Sequence, residues 1–173
     1  AGNRRFGADS PRRTPMIRVQ GEDFDPGVEL ARFGAGNHAI GGVCMFVGLV
    51  RDAAETPAGA ERVDAMTLEY YPGMTERELE GIEVEARSRW PLEDALFIHR
   101  HGRLLPGDRI VLVATASPHR KAAFEACEFL IDWLKTKAPF WKKEETADGA
   151  RWVAARESYD AAADRWRKGR AAE

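Results

Sequence analysis

Apolar and polar positions along the chain alternate or cluster in ways that predict five strands. The run IGGVCMFVGLVR at 40–51 is apolar and predicts a buried strand, with close backbone approaches at its glycines. RVDAMTLEYY at 62–71 and ALFIHRHGRL at 95–104 predict two more strands, and RIVLVATA at 109–116 predicts the clearest one. ADGARWVAARE predicts an Asp-Gly turn followed by one more short strand.

Helical periodicity predicts a first long helix between the second and third strands. Thr75 and Glu78 have the spacing of a capping box, so the helix is expected to start there and to stop at Pro91. Its buried face would carry four residues at helical spacing: Leu79, Ile82, Ala86 and Trp90.

A second long helix is predicted in SPHRKAAFEACEFLIDWLKTKAP. Ser117 would be its N-cap and Pro118 its first residue, and Pro139 would end it near Lys137. Its buried stripe would contain Phe124, Cys127, Ile131 and Leu134. Strands outnumber helices, and several connections are too short for parallel crossovers. The pattern therefore predicts an α+β fold with a largely antiparallel sheet and two main helices.

The length and the polar ends of the chain favour one domain. At 173 residues there is room for one sizeable core, expected at 16–160. Residues 1–15 are rich in Gly, Pro and Arg and are expected to form a loose tail, with Met16 a plausible alternative start. Residues 161–173 are expected to be loose as well, unless Trp166 docks on the domain.

Composition limits the classes of function. The net charge of −2 argues against general binding to nucleic acid or anionic membranes, so an anion site would have to be local. No apolar run approaches the roughly 20 residues of a membrane span, and no signal-peptide pattern is present. Cys44 and Cys127 lie in apolar stretches without metal-ligand spacing, which favours buried thiols of a cytoplasmic protein and neither a disulfide nor a metal site. No cofactor is expected.

Two places on the chain could bind an anion. His119 and Arg120 sit at the start of the second helix, where cations oppose the helix dipole and free N–H groups would join them around an anion. The alternative is that both side chains point into water. Arg51 ends the first strand, where its guanidinium is well placed to hold a phosphate or carboxylate, although taken in isolation it is more typical of an ordinary surface arginine.

The segment LKTKAPFWKKEE at 134–145 is the strongest candidate for chemistry. It gathers four lysines around Phe140 and Trp141, namely Lys135, Lys137, Lys142 and Lys143. A solvated helix end would explain the lysines in isolation. Partial burial beside aromatic residues would instead make a lysine a competent base or nucleophile, and Lys135 is best placed for this, with Lys142 close enough to share its pocket.

Other reactive patterns are absent from the sequence. His99 and His101 alternate in a strand without a third ligand, so a metal site there is rejected. No G-x-S-x-G, P-loop or zinc-ligand spacing occurs, and carboxylates such as Glu69 and Glu78 are scattered.

Several strings together resemble the large, catalytic subunit of molybdopterin synthase. They are FVGLVRD, LEYYPGMTERELEGI, RWPLEDALFIHRHGRLLPGD, ASPHRKAAFEACEFLIDWLKTKAPFWKKE and RWVAARE, in order from about residue 40 to 157. The resemblance implies an α/β-hammerhead-like fold and conversion of cyclic pyranopterin monophosphate to molybdopterin by insertion of two sulfurs. It also implies that a small ubiquitin-like subunit delivers sulfur as a C-terminal thiocarboxylate, and that two large subunits form a dimer with one small subunit at each end.

The resemblance also assigns roles to residues. By motif, Lys135 matches the catalytic lysine of the family and Lys142 the second lysine of its pocket. The contacts to the anionic substrate would come from Arg51, His119 and Arg120, with Lys143 and Glu144 continuing the binding strip.

Helix geometry adds a constraint. Since a helix rises about 1.5 Å per residue, His119 and Lys135 would lie roughly 24 Å apart, and one small pocket using both would need two chains.

A non-catalytic module that binds a phosphate or nucleotide is the alternative function for the same basic residues.

Overall fold

The computed structural model describes residues 17–56, 59–153 and 166. Its elements in chain order are β1 Ile17–Gln20, α1 Pro26–Arg32, β2 Gly42–Leu49, β3 Ala53–Thr56, β4 Gly59–Arg62, β5 Ala65–Tyr70, α2 Met74–Arg89, β6 Asp94–Arg100, β7 Gly102–Leu104, β8 Arg109–Ser117, α3 Arg120–Lys137, β9 Phe140–Thr146 and β10 Gly149–Val153.

The first sheet has the strand order β1-β6-β8-β2 and carries most of the core. Its apolar strands β6 and β8 are central, and α2 and α3 pack their buried faces on one side of them around Phe97, Val113 and Phe129. On the other side, Ile98 and Leu112 pack against Phe24 next to α1. Burial on both faces explains why β8 reads as a continuous apolar run.

The second sheet has the order β10-β9-β5-β7, and β3 and β4 form a separate hairpin. A small core of Val50, Met66, Leu68 and Leu104 joins this sheet to the end of β2. Every pair in both sheets and in the hairpin is antiparallel except β1 with β6. The predicted α+β fold with a largely antiparallel arrangement is therefore confirmed.

Two strand predictions need correction. Residues 95–104 form two strands in different sheets, because Gly102 takes a φ of +89° and turns the chain between β6 and β7. The strand predicted in 40–51 is not buried but lies at the edge of the first sheet. Val43, Phe46 and Leu49 are 40%, 38% and 52% exposed there.

Both helix starts also differ from the prediction. Gly73 caps α2, and its N–H donates to Glu76 Oε2 at 2.6 Å, so Thr75 lies inside the helix. Strand β8 pairs with β2 as far as Ser117, which leaves His119, not Ser117, as the N-cap of α3 and makes Arg120 its first residue. Pro118 therefore precedes the helix.

The α3 stripe is only partly as predicted. Cys127, Ile131 and Leu134 are buried, whereas Phe124 is 62% exposed. The helix ends at Lys137, as the proline two residues later predicted.

The C-terminal part of the chain contributes one described residue to the core. Trp166 packs against the rings of Trp90 and Phe129, and its Nε1–H donates to Asp132 Oδ2 at 2.8 Å. The predicted loose segments, 1–15 and the rest of 161–173, lie outside the described residues. None of the helices within the described ranges has the length and apolar character needed to cross a membrane.

Both cysteines are free thiols, Cys127 buried and Cys44 half-buried. Burial, together with the neighbouring Cys44, raises the pKa of Cys127 well above its usual range, so this thiol stays protonated.

Candidate functional site

The predicted site residues fall into two groups at opposite ends of α3. β8 runs one way along the first sheet and α3 runs back over it, so the start of α3 lies near the end of β8 and the end of α3 lies near its beginning. His119 and Arg120 belong to the first group, and Lys135 and Lys142 to the second.

The first group surrounds a cleft of about 380 Å³ lined by Gly41, Pro118, His119, Arg120 and Lys121. The three basic side chains are exposed. A Cβ on Gly41 would come within 2.1 Å of the Pro118 carbonyl oxygen, so only glycine lets β2 approach the helix start this closely. No side chain caps the N-terminal N–H groups of α3. Cations and free N–H groups together make this cleft suited to an anion.

Arg51 lies at the far end of β2 from that cleft. The strand extends about 24 Å from Gly42 to Leu49, so Arg51 is well separated from Arg120 within one chain. Arg51 is exposed beside a shallow depression of about 440 Å³ lined with residues 52–53 and 106–107. The preceding Val50 packs in the same small core as Leu68.

Leu68 lies directly opposite Lys142 in the β5–β9 pair, and it packs in the same small core as Val50, the residue before Arg51. Arg51 therefore lies on the side of the molecule that carries the second group. Residues paired in this way share a face of the sheet, so Lys142 projects on the side of that small core. Lys135 is exposed in the last turn of α3, and only Ala138 and Pro139 separate that helix from β9. Arg51, the end of α3 that carries Lys135, and the strand β9 that carries Lys142 therefore all lie near the same end of the first sheet.

Lys142 is part of a chain of alternating charges. Its Nζ lies 2.6 Å from Oε1 of Glu144, a carboxylate whose residue is only 4% exposed. Arg151, opposite Glu144 in β10, places Nη2 3.5 Å from Oε2 of Glu144 and Nη1 2.6 Å from Oε2 of Glu61 in β4. A hydrogen bond from Thr146, and then Arg151, lower the pKa of Glu61, which keeps it ionised.

Lys143 lies on the other face of the second sheet, because side chains alternate along β9. Its Nζ sits 5.7 Å from the ring centre of Trp152. Trp141 shares this outer face and makes an edge contact with Tyr71. The predicted strip of Lys142, Lys143 and Glu144 is thus divided between two faces.

Phe140, the first residue of β9, stacks on a buried histidine. Its ring lies 3.7 Å from that of His99 with an interplanar angle of 16°. Burial lowers the pKa of His99 to about 4, and its Nδ1 is 2.9 Å from the Arg100 carbonyl oxygen. His99 is therefore neutral at pH 7 and donates from Nδ1. It forms part of the packing beneath the lysine-bearing segment. In the described part of the chain, no cluster of three His, Cys, Asp or Glu side chains could hold a metal ion.

Sequence reasoning missed Arg151, Glu61 and the role of Glu144 as a buried partner of Lys142. The RWV string around Arg151 contributed to the resemblance but gave no sign that Arg151 contacts Glu144. An alternating strand pattern in FWKKEET would have paired Glu144 with Lys142, since both are even-numbered positions of one strand.

The chain is similar to known proteins in sequence and in fold. The family model described as "MoaE protein" matches residues 19–137. The molybdopterin synthase catalytic subunit of Ralstonia nicotianae is 55% identical over 152 residues, covering 88% of this chain and 84% of that protein. A structure of the molybdopterin biosynthesis MoaE protein from Burkholderia ambifaria is 54% identical with a TM-score of 0.73, covering 87% of this chain and 97% of that one. A complex of subunits 1 and 2 of molybdopterin-converting factor from Helicobacter pylori shares the fold, at 21% identity and a TM-score of 0.64, covering 82% and 91% of the two chains.

Proposed function

The chain belongs to the MoaE protein family, and from that membership we propose that it is the catalytic subunit of a molybdopterin synthase. The observation that carries the proposal is the 55% identity to a protein of that name across 88% of this chain. The enzyme is a sulfurtransferase of molybdenum cofactor biosynthesis. It converts cyclic pyranopterin monophosphate to molybdopterin with sulfur from the thiocarboxylated C-terminus of a small ubiquitin-like subunit.

The charges of the two reactants fit the two groups of basic residues. The phosphate of the pterin and the thiocarboxylate of the small subunit, the sulfur carrier, are both anions. Cations that converge on them stabilise binding and developing negative charge. We assign the catalytic roles to Lys135 and Lys142. Arg51, His119 and Arg120 are assigned to binding the phosphorylated pterin.

Glu144 and Lys143 differ in what their positions support. Glu144 is buried and contacts Lys142, so it can influence the pocket through that lysine. Lys143 projects from the opposite face, beside Trp152, which suits a contact with the surface of the small subunit rather than with the pterin.

The active site is composite, with Arg120 of one chain and Lys135 of a second chain facing one pocket. Both residues lie on the uninterrupted helix α3, which keeps them far apart within one chain. A second copy would also cover apolar side chains that are exposed on the edge strand β2 and on α3: Val43, Phe46, Leu49 and Phe124. The assembly would then be two catalytic chains with a small subunit at each end. The free thiols favour the reducing cytoplasm.

A reconstituted reaction tests the proposal. The purified protein is mixed with the cyclic pterin and with small subunit that carries either a thiocarboxylate or, as the matched control, an ordinary carboxylate at its C-terminus. We expect molybdopterin, the dithiolene product, only when the small subunit carries the thiocarboxylate. Binding of both partners without product would support a non-catalytic anion-binding module instead.

A further inference from the structure

Arg151 is shared between two carboxylates, one of which also holds Lys142. Glu144 divides its oxygens, with Oε1 2.6 Å from Lys142 and Oε2 3.5 Å from Arg151. Arg151 reaches in the other direction to Glu61, at 2.6 Å, on the β3–β4 hairpin. The four side chains alternate in sign and their formal charges sum to zero.

Sharing weakens the hold of Glu144 on Lys142. A buried carboxylate needs a compensating cation. A second cation at the same carboxylate repels the first one and competes for the orientation of the carboxylate, so the net hold on the first cation is weaker. A lysine that must turn to a substrate anion benefits from being held in position but not too tightly. Arg151 supplies the second cation, and Glu61 in turn limits how much of Arg151 is available to Glu144.

We propose that Arg151 is a positioning residue for Lys142, acting by sharing the Glu144 carboxylate and being itself held by Glu61. The consequence for catalysis rests on the proposed function, because it takes Lys142 to be a pocket lysine. The effect of Arg151 on Lys142 does not rest on the proposed function, because the hold of Glu144 on the Lys142 ammonium is a property of the protein without substrate.

The test measures the reactivity of Lys142 in the protein without substrate. Wild type, Arg151→Gln, Arg151→Lys and Glu61→Gln are treated briefly with acetic anhydride, and acetylation at each lysine is read by mass spectrometry. Arg103→Gln is the matched control, because Arg103 makes a two-pronged contact with Glu145, the next residue of β9, on the opposite face. Thermal unfolding of each variant establishes that it is folded.

Loss of the Arg151 charge and loss of the Glu61 charge should change the acetylation rate of Lys142 in opposite directions. In Arg151→Gln, Lys142 is held more tightly and its acetylation should slow by roughly two- to fivefold, the range of a half-exposed ion pair. Arg151→Lys keeps the charge and should restore much of the rate. In Glu61→Gln, Arg151 turns fully to Glu144, so Lys142 should react faster. Arg103→Gln should leave Lys142 unchanged.

A general loosening of the sheet would move all variants in one direction. The proposal is overturned if Lys142 reacts at the wild-type rate or faster in Arg151→Gln, or if Arg103→Gln slows it equally. Should Arg151→Gln not fold, an unchanged or slower Lys142 in Glu61→Gln overturns it equally. Absence of product from the wild-type enzyme would remove the proposed function and leave these rates interpretable. In an active enzyme, kcat/KM of Arg151→Gln should fall by a similar factor and recover in Arg151→Lys.

Discussion

Exchange of chains between two weakly active or inactive variants gives the sharpest test of the composite site. Arg120→Ala removes the proposed anion-binding cation at the start of α3, and Lys135→Ala removes the amine near its end. The two residues are 15 positions apart, or about 22 Å along the helix. If each pocket uses Arg120 of one copy and Lys135 of the other, a dimer of one variant with the other has one pocket lacking both residues and one pocket intact.

The expected magnitude follows from this count. Loss of one charge-assisted contact costs about 1.5–3 kcal/mol, so an Arg120→Ala homodimer should retain about a tenth to a hundredth of wild-type activity. Random mixing makes half of the dimers mixed, so roughly a quarter of all pockets become intact. Purified mixed dimers should show roughly half of the wild-type activity per dimer.

Two affinity tags and sequential purification isolate the mixed dimers, and dithiolene product is measured with the thiocarboxylated carrier. The matched control pairs wild type with a chain carrying both Arg120→Ala and Lys135→Ala. It contains the same replaced residues, but every pocket then lacks one of them, so it should be nearly inactive.

The reverse pattern would refute the reasoning. If each pocket were built within one chain, the double variant paired with wild type would keep half of the activity and the two single variants together would stay inactive. An Arg120→Ala homodimer with wild-type activity would instead mean that the side chain of Arg120 is only part of a solvent-exposed helix start.

Three further outcomes are expected. Lys135→Ala should reduce sulfur transfer by a factor of about 10² or more in a variant that remains folded. An active Lys135→Arg would show that charge suffices, and an inactive one would point to the neutral amine. Replacing Cys44 by Ser and Cys127 by Ala should cost about 1–3 kcal/mol of unfolding free energy in urea but leave turnover unchanged, and an inactive folded variant would implicate a thiol. Because burial lowers the pKa of His99 from 6.5 to about 4, the unfolded chain takes up its proton first, and stability should fall by up to about 3 kcal/mol as pH drops through that window. His99→Phe should flatten this part of the urea-unfolding profile, and an unchanged slope would assign it to other groups.

Patterns that one dominant force determines were predictable from the sequence. The apolar run at 109–116 has to be buried and forms β8, and Pro139 removes a helical N–H and ends α3 at Lys137. The resemblance gave the fold class and the family from strings that span most of the described chain.

Features that depend on contacts distant in sequence were not predictable. Strand β9 carries lysines and glutamates on both faces, so its sequence alone does not show which face is buried; the pairing with β5 decides that. Ser117 has the chemistry of an N-cap, but pairing with Gly42 extends β8 through it. Gly102 splits one predicted strand between two sheets, which only its positive φ reveals.

The short connection between α3 and β9 makes this region sensitive to changes in length. Two residues join the last helical turn to a strand whose faces alternate, so neither side can absorb an added or lost residue. Shifting β9 by a single position would exchange Lys142 for Lys143 beneath the pocket and turn Glu144 out to solvent. A substitution at Ala138 would keep this register, whereas an insertion or deletion would move Lys142 off the face that carries Glu144, so the length of this connection should vary less than its composition.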